Sequence, residues 1–486
     1  MLFNSYLFIL AFLPLTLLGY FILRKAGGHN LSLMFLTGMS LVFYGYFYPP
    51  YVLLLILSIL VNFCLSGPIR NAEGTGRKLL FAVGLLFDLG LLGYYKYFNF
   101  FLENLNVLLA KDLPLREIIL PLGISFFTFQ QVSYLADVYN GECPEYSFLE
   151  YASFVTFFPQ LIAGPIVLHE ELIPQLKDPG NFSPSAENIS CGLYGFSMGL
   201  AKKVLVADML GPLVNLSIIN LEDRSITNII VIMLCYTLQL YFDFSGYSDM
   251  ALGLGRMFNF RLPVNFQSPF RSASVREHWQ RWHITMGRFF GRYVYIPLGG
   301  SRKGKLRTYL NTLITFTLSG LWHGAAWTFV LWGFLNGVCV CIDRAFGAVF
   351  EKIPKVIRVF TTFSITTILL WLFRENSIVD WGYTLLGMVR PVPGPLWNAV
   401  TETFKEHMEI SLLSRFGMVS LFTAYPALPL YLFLAFCLVL VFVMPNTAER
   451  MERFSGKKRE LLLTAFLLFW SIVSLSSITE FLYFNF

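Results

Sequence analysis

His323 lies in the run Leu318-Ser-Gly-Leu-Trp-His-Gly-Ala-Ala-Trp327. Residues 308–340 contain no Lys, Arg, Asp or Glu, so a titratable ring stands in an apolar setting. Such a group is costly unless paired or wetted, and inside a membrane segment it marks a functional position. Its neighbours Ser319, Gly320, Gly324, Ala325 and Ala326 are small. Small residues leave room for close helix packing or for a substrate passage. A packing histidine with one hydrogen bond is the plain reading. The chemical reading is a general base held in a membrane cavity, and the surrounding sequence favours it.

A second chemical stretch is Arg276-Glu-His-Trp-Gln-Arg-Trp-His-Ile284. His278 and His283 are five apart, which is not the i, i+4 face of a metal pair. Around them, residues 256–307 hold eleven Lys and Arg against one acid, Glu277, a balance of +10. The whole chain carries +6, so the remainder is net −4. A topology anchor touching acidic headgroups would explain part of this. The excess suggests a collar of Arg281, Arg288, Arg292, Arg302 and Lys303 that captures a phosphate-bearing donor or an acidic carrier. Aromatics (Trp279, Trp282, Phe289, Phe290, Tyr293, Tyr295) interleave with these cations, and Pro263, Pro269 and Pro297 interrupt them. That mixture predicts a broken, partly re-entrant segment. The cations sit between membrane spans rather than on a free domain, which argues against nucleic acid.

Other polar residues interrupt apolar runs. Gln239, Asp243, Ser245 and Asp249 end one span; Gln239, Asp243 and Ser245, with Trp282 and Trp322, are expected to line an interior passage. Gln130, Gln131 and Asp137 fall in the 118–138 run. Gln160, Pro159 and Pro165 mark 154–166 as a second re-entrant segment. His29 and His407 read as solvated loop residues, while His169 fits either role. Seven scattered cysteines without a Cys-x-x-Cys pair argue against structural disulfides and a structural metal. No Gly-rich phosphate loop is present.

These residues need a membrane frame. The chain is 56% hydrophobic and 14% charged, where soluble chains run near about 25% charged. About eleven or twelve apolar runs are long enough to cross a bilayer as helices, near residues 3–23, 31–47, 51–66, 79–102, 118–138, 192–219, 228–252, 308–321, 325–342, 357–373, 427–445 and 461–478. The first lacks a basic start and a cleavage site, so it reads as a retained helix. Basic loops at 24–30, 66–78, 256–307 and 450–459 place those connections in the cytoplasm and the N-terminus outside. The less apolar tract 376–424, with Pro391, Pro393 and Pro395, then falls on the outer side, as a connecting loop or a docking place for an external partner. The expected architecture is an all-α, polytopic bundle forming one domain, with its core in residues 118–345.

Phe242-Asp-Phe-Ser-Gly-Tyr-Ser-Asp-Met-Ala-Leu-Gly-Leu-Gly-Arg256 resembles the membrane-bound O-acyltransferase family. The resemblance continues through Asn265-Phe-Gln-Ser-Pro-Phe-Arg-Ser272, Tyr295-Ile-Pro-Leu-Gly-Gly-Ser-Arg-Lys-Gly304 and Gly320-Leu-Trp-His-Gly-Ala-Ala-Trp327. Phe157–Pro165 and the terminal Phe481-Leu-Tyr-Phe-Asn-Phe486 match the bacterial branch that holds the alginate O-acetyltransferase and the teichoic-acid D-alanyl transferase. The resemblance implies a bundle around a central funnel and catalytic histidines at His323 and His283. It implies no bound cofactor; the donor would be acetyl-CoA or an acyl-carrier thioester approaching from the cytoplasm. It also implies a multi-pass protein of the inner membrane, surrounded by lipid. Its partners would be an extracytoplasmic acyltransferase and polysaccharide secretion machinery, and its product an O-acetylated, alginate-like polymer. D-alanyl transfer to teichoic acid is the alternative chemistry, and a transporter or flippase the alternative class. Two positions depart from the family pattern. Gly291-Arg292-Tyr293 stands where Arg-Asp-Tyr is usual, and His278 replaces an aromatic.

Overall fold

The computed structural model describes residues 1–219, 225–413, 419–475 and 482. Its described residues are helical apart from connections and one isolated antiparallel bridge, Phe266–Trp282. The helices run α1 Leu13–Gly45, α2 Pro50–Asn71, α3 Gly74–Leu92, α4 Phe98–Leu109, α5 Ile124–Asn140, α6 Phe148–Thr156, α7 Phe158–Leu161 and α8 His169–Lys177. They continue with α9 Ala186–Lys202, α10 Asp208–Ile219, α11 Ile226–Met257, α12 Val275–Arg281, α13 Ile284–Phe290, α14 Lys305–His323, α15 Trp327–Phe350 and α16 Lys355–Arg374. The last are α17 Ile378–Val389, α18 Asn398–Lys405, α19 Met408–Leu413, α20 Val419–Ala424, α21 Leu428–Phe442, α22 Thr447–Glu452 and α23 Lys458–Val473. Short π-helical turns at Phe8–Phe12, Gly93–Tyr97, Lys203–Ala207 and Gly291–Tyr295 join or precede several of them.

The expected apolar runs fall on helices, but 3–23 and 31–47 share α1, and residues 476–478 of the last run lie outside the described residues. Among the described residues six helical stretches are long and apolar enough to cross a membrane: Phe8–Gly45, Pro50–Asn71, Gly74–Leu109, Ile226–Met257, Trp327–Phe350 and Lys355–Arg374. The protein is therefore a multi-pass membrane protein. Two boundaries differ from expectation. The 24–30 connection is a kink at Gly28 (φ 81°) inside α1, not a loop. There His29 bonds Arg24 at 2.6 Å instead of facing solvent alone. The 118–138 run becomes helical only at Ile124, because Pro121 and the left-handed Gly123 (φ 74°) end the extended approach.

α11 is the axis of the bundle. In its most apolar stretch 83% of residues are buried, against 17% for Gly74–Leu109 at the periphery. α9 crosses α11 at glycines spaced seven apart. A Cβ on Gly192 would lie 2.5 Å from the Gly253 carbonyl oxygen, and one on Gly199 2.5 Å from that of Gly246. Only glycine permits this backbone approach.

The basic loops gather at one end. Arg24 donates to the Leu176 carbonyl, Arg70 to Cys143 and Arg77 to Val138, while Gln175 bonds the Arg261 backbone and Asn188 bonds Asn259. The 376–424 tract, of which 414–418 lie outside the described residues, has short helices at the other end of α11, where Trp397 N–H bonds Asn228 Oδ1 at 2.9 Å and Ile226 N–H bonds the Val392 carbonyl.

Candidate functional site

α14 begins in the basic loops and ends on His323, which is buried. The next residue, Gly324, is extended and stops the helix. The last carbonyls of a helix lack intrahelical donors and need partners from outside. Lys96 Nζ supplies two, donating to the carbonyls of Trp322 (2.7 Å) and His323 (2.9 Å). Tyr97 O–H donates to Leu321 at 2.9 Å. Both side chains come from the π turn Gly93–Tyr97, and such turns are frequent at functional sites. A lysine also suits the negative end of the helix dipole. The imidazole of His323 packs among Trp322, Trp332 and Phe373 at centroid distances of 4.9, 5.3 and 5.3 Å.

The segment after α11 is broken, as its prolines and aromatics predict. It folds back through the Phe266–Trp282 bridge, with Gln267 N–H bonding Arg281 and Ile284 N–H bonding Asn265. His283 stands at the turn with φ 48° and ψ 49°, a left-handed conformation uncommon for a non-glycine residue. Backbone strain of this kind costs about 1–3 kcal/mol and clusters at functional sites. The fold sets its tautomer. Asn265 Oδ1 accepts from Thr285 Oγ1 at 2.9 Å and from the Thr285 amide at 3.3 Å, which fixes the amide orientation. His283 Nδ1, 3.2 Å from the same oxygen, must then carry the proton. Nε2 is left as an acceptor, buried and without a hydrogen-bond partner among the described residues. The rings of His283 and His323 lie 6.1 Å apart, with Phe244 of α11 edge-on to His283 at 4.8 Å.

A cleft of about 200 Å³ lies between α13 and α14, on the helices that carry this pair. Gly287, Gly291, Thr312, Thr315 and Ser319 line it, with Arg344 and Tyr295 also in its wall. Ser319, one helical turn before His323, packs on Met286 (Oγ–Sδ 3.7 Å).

The arginines of the expected collar separate into two kinds. Arg281 pairs with Glu277 on its own helix at 2.8 Å. Arg288 makes a two-pronged bond to Glu171 at 2.5 and 2.7 Å. Arg292 holds Glu170 (2.7 Å), Glu142 (2.9 Å) and Asp137 (3.2 Å). Asp137 also bonds His169 Nε2 at 3.0 Å and Tyr293 O–H at 2.8 Å, and Tyr146 lies 3.0 Å from the other His169 nitrogen. These contacts latch the broken segment to α5 and α8. Arg302 and Lys303 are exposed and have no carboxylate partner among the described residues.

The polar end of α11 is held by lysines. Asp243 pairs with Lys203 at 2.7 Å and accepts the Leu482 amide at 2.9 Å. Ser245 and Asp249 bond Lys202 at 3.5 and 2.5 Å. Their bonds run to lysines at the α9 end, while Phe244 and Ser248 take up the histidine side. Half-buried Gln239 packs on Gly211 of α10. Trp322 stacks on Phe129 at 4.9 Å beside His323, and Trp282 packs on Phe266 and His278 beneath His283. The Lys96 cap and the Asp137–His169 pair have no counterpart in the sequence reading. A lysine isolated between Asp88 and Glu103 was the available signal for the first.

A model of the membrane-bound O-acyltransferase family matches residues 137–374. A peptidoglycan O-acetyltransferase of Helicobacter pylori is 37% identical over 100% of this chain and 98% of its own length. A probable alginate O-acetylase of Pseudomonas aeruginosa is 37% identical over 78% of this chain and 74% of its own. A teichoic acid D-alanyltransferase of Streptococcus thermophilus is 26% identical over 51% and 64%. This chain belongs to the membrane-bound O-acyltransferase family. It is an enzyme, an acyltransferase of the O-acetyltransferase type.

Proposed function

We propose that this enzyme takes an acetyl group from a thioester donor at the basic, cytoplasmic face and delivers it across the inner membrane for O-acetylation of an exported polysaccharide. The observation that carries this reading is the buried His283–His323 pair, with rings 6.1 Å apart. Neutral His323 takes the proton of the attacking hydroxyl. The oxygen–carbon bond forms, the carbon–sulfur bond breaks, and the proton passes to the departing sulfur, leaving a free thiol. His283, with its Nδ1 proton committed to Asn265, stands beside His323 with a fixed tautomer and walls the pocket in which the hydroxyl reacts. The donor is acetyl-CoA or an acyl-carrier thioester, and a separate extracytoplasmic acyltransferase completes the transfer. The relative matched over its whole length is named for peptidoglycan, which favours a cell-wall glycan beside the alginate-like polymer as acceptor.

Mass spectrometry of the polymer from cells with and without the enzyme tests this. Acetyl esters that vanish with the gene and with His323→Ala support it. D-alanyl esters, recognised by their mass and free amine, would replace it, as would thioester-independent transport by purified protein in liposomes.

A further inference from the structure

A second cavity, of about 580 Å³, lies at the basic end between α9, α22 and the start of α23. Arg450, Arg453, Lys457 and Arg459 line it against a single carboxylate, Glu460. That carboxylate is engaged in shaping the loop, where its Oε2 accepts from the Ser455 amide (3.1 Å), the Ser455 hydroxyl (3.3 Å) and the Lys457 amide (3.0 Å). None of the four cations has an ion pair among the described residues. Arg450 spends only Nε, on the Pro445 carbonyl at 3.2 Å. The contrast with Arg281, Arg288 and Arg292, all neutralised by acids, is direct.

The cavity also has an apolar border. Leu463 is in its wall. Leu462, Phe466 and Phe469 form an i, i+4, i+7 stripe on α23 with exposures of 60, 59 and 65%. In a membrane protein such a stripe faces acyl chains. The cations therefore stand about one helical turn from the hydrocarbon, at the depth of lipid headgroups. Basic pockets beside membrane helices suit anionic headgroups.

We propose that this cavity binds the phosphate of an anionic phospholipid, with its chains along Leu462, Phe466 and Phe469. The site is separate from the histidine cleft and shares no lining residue with it.

The test uses the purified full chain in neutral detergent, titrated with phosphatidylglycerol or phosphatidylcholine and followed by native mass spectrometry. Phosphatidylglycerol should be retained and phosphatidylcholine should not. Each cation near a surface contributes roughly fivefold to anionic-lipid affinity, so Arg453→Gln with Arg459→Gln should weaken retention about thirtyfold. Lys457→Gln alone should weaken it about fivefold, which keeps the test alive should the double variant fail to fold. Arg302→Gln with Lys303→Gln, exposed cations outside the cavity, should leave retention unchanged. Equal retention of both lipids, or an equal loss in the 302/303 variant, would overturn the site. Competition by millimolar inorganic phosphate that abolishes lipid retention would assign the pocket to a soluble phosphate instead.

Discussion

The two ends of α14 are opposite in character. At His323 the ring is packed on aromatic neighbours and the helix-end carbonyls are held by Lys96 and Tyr97. At the start, Arg302 and Lys303 are exposed and have no carboxylate partner among the described residues. One end is preorganised and the other is left to solvent. Reaction chemistry requires fixed geometry at one end; capture of a charged donor requires only a field at the other.

Substitutions along this axis should separate the two roles. His323→Ala should show the largest effect, a loss of turnover on the order of 10²–10⁴-fold, read as acetyl transfer by protein that still elutes as a folded species. Acetylation at the normal rate would break the contrast at its buried end. Lys96→Met comes next. It leaves two buried carbonyls without their donor, a penalty of about 1–3 kcal/mol. Turnover should fall roughly 10–100-fold at nearly constant donor KM, with Lys96→Arg restoring part of it. A change confined to KM would instead tie Lys96 to the donor.

Arg292→Gln tests the latch and should act on stability. A lost hydrogen bond to a charged group costs about 1.5–3 kcal/mol, seen as a lower thermal midpoint in detergent. Were the midpoint unchanged while donor KM rose, Arg292 would return to the donor collar. The smallest effect belongs to the exposed end. Arg302→Gln with Lys303→Gln should raise donor KM a few-fold and flatten its salt dependence, since exposed charges are screened beyond about 8–10 Å at physiological ionic strength. Normal KM at low and high salt would make these cations a topology anchor only.

Much of this was legible in the sequence, because a membrane limits the choices. Apolar runs in a membrane can only be helices, so the expected spans fall on helices, although the first two share α1. A histidine among apolar residues announces its own cost, and so does a cationic stretch broken by prolines. Which partner a polar residue meets was not legible. Arg288 and Arg292 look like free cations in sequence because their carboxylates lie 117 and 122 residues earlier. The partner of Asp243 was hidden because sequence does not reveal which element covers its face, and the π turn after α9 presents Lys203 there. Gly28 looks like a loop because a kink and a connection share the same composition.

The latch also fixes an order of events during synthesis. Glu170 and Glu171 leave the ribosome well over a hundred residues before Arg288 and Arg292 exist. At about 5–20 residues per second that interval is roughly ten seconds. Throughout it Glu142, Glu170 and Glu171 lack the arginines that pair them in the finished protein.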